Sequence, residues 1–229
     1  MKLTNQHIQN LYNFTRQHYV EFYDVQTELV DHLANDIEAI WVEKPNLTFQ
    51  EARDLSFKKF GVFGFMDVLE EKQKAMSKKY AKILLGFVKE WFRLPKIILT
   101  FGSVFILYTL FSSQYGEYLF YGTQGFFTVF IIIKAVQLKK VSKQREKKSN
   151  KKWMLEYMIF HSAYGGSIVY VLNSFQIHDA GNNLQTSWVA FLFSVVFVFA
   201  FLVSYITLEV IPKKGEELLE ETYPEYKMS

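Results

Sequence analysis

The sequence predicts an all-α protein in two parts, a cytoplasmic N-terminal helical domain followed by a four-helix transmembrane domain. Three observations carry this prediction. Basic residues vanish from two long stretches, 97–133 and 153–212. Between them, "LKKVSKQREKKSNKK" (138–152) holds eight Lys or Arg and one acid, Glu146. Upstream, residues 24–41 repeat apolar side chains at helical spacing.

The charge is unevenly spread behind a net value of +3. Residues 1–75 carry 8 basic and 12 acidic side chains, whereas 76–96 carry 6 basic and 1 acidic. The absence of Cys excludes disulfides and thiolate metal sites. The opening "MKLTNQHIQ" is too polar for a secretory signal.

The N-terminal domain is expected over 1–75. Thr4 suits the cap of a first helix, with Ile8, Leu11 and Tyr12 on one face. The second helix, "DVQTELVDHLANDIEAIW" (24–41), has Asp24 as its candidate cap and Val25, Leu29, Leu33, Ile37 and either Ile40 or Trp41 inward. "KPN" (44–46) ends it, since Pro45 disfavours helical geometry at Lys44. The third opens with a capping box, Thr48 to Glu51, points Phe49, Ala52, Leu55, Ser56 and Phe60 inward, and stops at Gly61. A fourth starts near Phe65 or Asp67 and continues to about Phe92. Its last part, 76–95, is an amphipathic, basic juxtamembrane connector suited to a membrane interface.

The run "DVQTELVDHLANDIEAIW … LTFQEARDLSFKKFG" resembles the HAAS domain, a helix-turn-helix-associated α-helical signalling domain also known as a permease prefix. The resemblance rests on Glu28, Leu29, Asp31, His32 and Leu33, then Thr48, Glu51 and Ala52, then Phe60 and Gly61. It covers about 50–60 of the 229 residues. It implies a bacterial cytoplasmic helical module ahead of membrane spans, of a family often encoded beside transcriptional regulators or attached to permeases. Regulation or docking, not catalysis, is the implied role. Glu28, His32, Thr48, Glu51 and Gly61 are then structural residues of a docking domain. No regulator domain is attached to this sequence, and no large extracytoplasmic domain is present.

Glu28, His32 and Asp36 share one helix face, yet a zinc site needs three or four ligands rich in His or Cys. No second histidine is placed nearby, so no metal or other cofactor is predicted.

The membrane domain is expected over 96–212. A span takes roughly 20 residues, so each Lys/Arg-free stretch holds two spans and a turn, "SSQYGE" (112–117) or "NSFQIHDAGNNLQT" (173–186). The spans fall at about 96–112, 118–137, 153–172 and 187–211. Basic membrane flanks stay on the cytoplasmic side, which places both termini and the basic loop there, in a bacterial inner membrane. In that loop Lys139, Lys140, Lys143, Arg145, Lys147, Lys148, Lys151 and Lys152 are candidates to face anionic lipid, with RNA or a ribosome as the second candidate. An acidic cytoplasmic tail follows over 213–229.

Four ionisable residues interrupt the spans: Lys134, Glu156, His161 and Glu209. Lys134, Glu156 and Glu209 fall about one turn inside the cytoplasmic edge, where Lys134 could pair with either acid. His161 falls deeper, near the midplane, beside the small residues Ser162, Gly165 and Gly166 that suit close helix packing. The chain lacks a phosphate loop, a Gly-x-Ser-x-Gly elbow and a His-Glu-x-x-His motif, and five histidines cannot build a di-iron oxygenase, so no enzyme is expected.

The expected function is that of a non-catalytic inner-membrane accessory or regulatory subunit. It docks other membrane proteins in a larger assembly, for instance one serving protein translocation, secretion or transport, and no small-molecule substrate is indicated. Two alternatives stay open: a small transporter or channel using the embedded ionisable residues, and a membrane-bound signalling partner of a transcriptional regulator.

Overall fold

Every regular element among the described residues is helical. The computed structural model describes residues 2–93, 95–148, 151–166, 170 and 186–228, without the side chains of Glu146, Lys148, Ser162, Lys227 and Met228. The chain divides into two units, one of Met1–Lys79 with Ser149–Leu155, the other of Tyr80–Lys148 with Glu156–Ser229.

In the first unit, α1 (Asn5–Gln17) begins at a reciprocal cap. The Thr4 hydroxyl accepts the His7 amide, and the His7 ring accepts the Thr4 amide. Histidine thus takes the place usually held by glutamate. α2 (Tyr23–Glu43) is the centre of the unit and packs against both α1 and α3. Facing two neighbours widens its buried stripe, so Ile40 and Trp41 are both buried, along with Gln26 and Val30. Leu11, Leu29, Leu33 and Ile37 are fully buried, and each such side chain contributes about 1.5–3 kcal/mol.

Asp24 does not cap α2. That helix starts at Tyr23, after Phe22, which offers no side-chain cap. The Asp24 carboxylate instead accepts the Met154 amide at 3.3 Å. Residues 151–155 belong to this unit: the Tyr23 amide donates to the Lys152 carbonyl at 2.7 Å, and Trp153 meets the Tyr23 ring edge-on at 5.2 Å.

α3 (Phe49–Lys58) opens with the Thr48–Glu51 capping box, in which each residue bonds the other's amide. Ala52 and Ser56 are buried, but Leu55 is exposed. At 100° per residue Leu55 stands about a third of a turn from the middle of the face formed by Ala52, Ser56, Phe57 and Phe60. Phe57 packs in its place, against Phe14, His18 and Phe65. The corner after α3 needs two glycines. Gly61 and Gly64 have φ of +79° and +56°, and a Cβ on Gly64 would stand 2.8 Å from the Phe57 ring. α4 (Met66–Trp91) follows.

The second unit holds α5 (Lys96–Phe111), α6 (Gly116–Lys148), α7 (Met154–Tyr157, begun in the first unit), α8 (Ser187–Tyr205) and α9 (Gly215–Thr222). α7 runs on as a π turn, Met158–Ser162, and α8 as a second π turn, Ile206–Val210, then Ile211–Lys213. The turn from α5 to α6 requires Gly116, where a Cβ would meet the Phe111 carbonyl oxygen at 2.0 Å.

Aromatic contacts set the helix directions. Tyr108 near the end of α5 meets Phe191 at the start of α8, while Trp91, which donates to Thr100 near the start of α5 at 3.2 Å, meets Tyr205 at the end of α8, so α5 runs antiparallel to α8. Phe120 meets Phe193 and Phe130 meets Phe201, so α6 runs parallel to α8. Glu156 reaches Arg145 while Tyr170 reaches Gln124, so these two residues meet α6 in the reverse of its own order. Phe101, Phe105, Phe126 and Phe191 face outward, the arrangement an apolar solvent requires.

Among the described residues two helices are long and apolar enough to cross a membrane, Gly116–Arg145 and Ser187–Lys213. α4 and α5 pass the same test only together, across a bend of 83°, which gives up to three spans. Four spans were expected. Of the third, expected at 153–172, residues 167–169 and 171–172 lie outside the described residues, as does the expected outer loop up to residue 185.

Candidate functional site

Most of the expected basic loop, up to Lys148, is helical. α6 continues to Lys148, because "LKKVSKQREKK" is rich in good helix formers and contains no Gly or Pro. The continuation carries a seam down one face. Phe127, Ile131, Lys134, Leu138, Ser142 and Arg145 follow one another at steps of three or four residues, and each is buried or half-buried. The first members are apolar, and Lys134, Ser142 and Arg145 each hold a polar partner.

Lys134 pairs with Glu209 on α8. Glu209 also takes Lys213 at 2.6 Å, one turn on along its own helix. Glu209 lies in the π turn Ile206–Val210, closed by the Ile211 amide donating to the Ile206 carbonyl. Pro212, which brings no amide, follows at once. A wide turn beside a proline re-aims side chains, and such turns recur at functional sites.

Arg145 makes the second knot. Its guanidinium reaches Glu216 of α9 at 2.9 Å and Glu156 at 3.6 Å, and stands 4.9 Å over the Phe160 ring. The Tyr226 hydroxyl donates to Glu156 at 3.5 Å. Burial first, then the Glu156 carboxylate, push the Tyr226 hydroxyl above its ordinary pKa.

His161 makes the third, in the other π turn. Its Nδ1 is 3.2 Å from the Ser142 hydroxyl, and its ring stacks on Tyr157 at 4.3 Å and meets Tyr164 at 5.1 Å. Ser142 lies two residues past Lys140, so His161 stands level with the basic end of α6.

Seven of the eight basic residues expected to face lipid or RNA divide into three groups. Lys139, Lys140, Lys143 and Lys147 lie exposed on the α6 continuation. Arg145 is turned into the seam. Lys151 and Lys152 lie on the first unit, the former 4.3 Å over the Tyr23 ring and the latter 2.6 Å from Glu21. The side chain of Lys148 lies outside the described residues, as does that of Ser162. Gly165 and Gly166 are helical, and a Cβ on either meets nothing within 4 Å, so the close helix packing expected there is not present among the described residues.

In the first unit, Glu28 pairs with Lys72 at 2.7 Å and Asp36 with Lys59 at 2.6 Å. Burial works against the charged form of Asp36. The hydrogen bonds from Lys59 and Ser56, with the Lys59 charge, outweigh it and hold the carboxyl below its ordinary pKa. His32 is exposed on the rim of a shallow cavity with Asp36, Ser56 and Lys59. No cluster of three His, Cys, Asp or Glu that could hold a metal occurs among the described residues.

Reading the sequence by membrane depth found Lys134, Glu156 and Glu209 but missed Ser142, Arg145, Glu216 and Tyr226 as their surroundings. The signal was present. The three-and-four spacing from Phe127 runs without a break through the basic stretch to Arg145.

Comparison of the chain with protein-family models, curated proteins and solved structures finds no match.

Proposed function

We propose that the chain is a non-catalytic accessory or regulatory subunit of a larger assembly in a bacterial cytoplasmic membrane, with both termini on the cytoplasmic side. The observation that carries this reading is the corner between α3 and α4. Val62, Phe63 and Met66 are 97%, 70% and 53% exposed there. Gly61 and Gly64, both at positive φ, hold the corner in shape. Large apolar side chains held in water by a built turn mark a contact surface for a partner protein with an apolar pocket. The HAAS-like run 24–61 ends at this corner, in keeping with a docking role.

The seam of the second unit supports the same reading. Lys134, Glu156 and Glu209 each close onto a partner within that unit. Charges spent on one another fasten helices together and do not offer a carrier site. The experiment is site-specific photo-crosslinking from position 63 in living cells, with position 42, also exposed on the first unit, as the control. One discrete adduct from position 63 and none from 42 is expected. No adduct, or the same smear from both, would overturn the reading.

A further inference from the structure

A second feature of the first unit, independent of the apolar corner, is the cavity where α1 turns into α2. It has a volume of about 320 Å³ and is lined by Arg16, Val20, Glu21, Tyr23, Gln26, Lys151 and Lys152. Three cations and one carboxylate give it a net charge of +2. We infer that this cavity binds a phosphate group, from either a phospholipid headgroup or a soluble phosphate compound.

The cavity is built rather than incidental. Gln26 is buried, and it works on both sides: its Nε2 donates to the Val20 carbonyl at 2.6 Å, while its Oε1 accepts from Arg16 Nε at 3.3 Å. One nitrogen of the guanidinium is thereby fixed, and its two terminal nitrogens keep the fork that suits two phosphate oxygens. The turn holding Arg16 and Gln26 together passes through Tyr19, a non-glycine residue at φ +64°. Such a conformation costs energy and persists where the surroundings impose it.

The other two cations come from far along the chain. The Tyr23 amide holds the Lys152 carbonyl at 2.7 Å, and Asp24 takes the Met154 amide, which fixes the segment's course. Lys151 lies over the Tyr23 ring and Lys152 spans from Glu21 to the Phe22 ring. These are contacts at the rim of the cavity, and both ammonium groups remain among its lining. A phosphate held by Arg16 and the two lysines would tie residues 151–152, the link between α6 and α7, to α1. The carboxylate of Glu21 competes with a bound phosphate for Lys152, so removing its charge favours the anion.

The test is hydrogen–deuterium exchange on the full chain in phosphatidylcholine nanodiscs, following peptides that contain Tyr23 and residues 151–155. One arm adds inorganic phosphate at constant ionic strength, and the other replaces a third of the phosphatidylcholine with phosphatidylglycerol. Slowed exchange in the first arm assigns the site to soluble phosphate, and slowed exchange only in the second assigns it to a lipid headgroup. In whichever arm responds, Arg16→Gln weakens the effect about tenfold, as loss of a charge-assisted pair does. Glu21→Gln, a change at an exposed side chain, strengthens it severalfold, and Lys139→Gln with Lys140→Gln leaves it unchanged. Protection in neither arm, or protection indifferent to Arg16→Gln and Glu21→Gln, would overturn the inference.

Discussion

Removing Glu209 should cost the second unit more than removing its partner Lys134. Both side chains are less than a quarter exposed. Opposite charges in contact near a protein surface attract by about 4 kcal/mol at an effective dielectric of 20. Partial exposure halves this to about 2 kcal/mol. Glu209→Gln removes that attraction and leaves Lys134 in a span with no carboxylate. It also releases Lys213, but that exposed pair, one turn along the helix, is worth only about 0.3–0.5 kcal/mol. Lys134→Met differs, because Glu209 keeps Lys213 and the span loses a charge. Its expected cost is about 1 kcal/mol. The double variant should cost less than the sum of the two, with a coupling of about 1–2 kcal/mol. Equilibrium unfolding of the full chain in mixed detergent micelles reads all three. A Lys134→Met variant as damaged as Glu209→Gln, or strict additivity in the double variant, would refute the reasoning.

Three further outcomes follow from the first unit. Gly64→Ala forces a Cβ against the Phe57 ring at a positive φ, and should lower stability by about 1–3 kcal/mol in thermal melts, whereas Lys58→Ala, on the exposed side of α3, should stay within about 0.5 kcal/mol. Thr48→Ala removes half of a capping box and should cost about 1 kcal/mol, read as loss of exchange protection at the start of α3. Asp36 has a folded pKa below its unfolded one, so its contribution is complete above the ordinary aspartate value near pH 4 and is lost as pH falls through the folded value. Asp36→Asn should therefore lower stability at pH 7 and narrow the gap to the parent chain below about pH 4, in melts taken across that range.

Much of the fold was legible because its signals are local. Thr48 with Glu51 marks a helix start in any context, and the stripe Val25, Leu29, Leu33, Ile37 marks a helix face. Thr4 was legible as a cap, but not His7 as its reciprocal partner, since a ring nitrogen rarely plays that part. Asp24 misled: a good capping residue was recruited by the amide of Met154, 130 positions away, and no local pattern reports that. Leu55 misled because hydrophobicity was given more weight than angle, and Phe57 took the inward place.

The seam was half legible. Lys134, Glu156 and Glu209 stand out as charges in apolar runs, but the choice of partners depended on where α6 ends. Reading the basic stretch as a loop hid the continuation of α6, and with it Ser142 and Arg145. The assignment of Lys151 and Lys152 to the first unit is wholly non-local. It follows from bonds to Tyr23, Glu21 and Asp24 that close a loop of some 130 residues.

The central claim, that this chain works by holding a partner protein, is tested most directly by purifying the full chain from its native membrane in mild detergent. Companions are then quantified by mass spectrometry, for the parent and for Val62→Ser with Phe63→Ser. Both changes fall on exposed side chains and leave the core intact. The account predicts a partner at a fixed ratio to the parent chain and its loss, by tenfold or more, from the variant. A parent chain that purifies alone, or a partner retained equally by the variant, would contradict it.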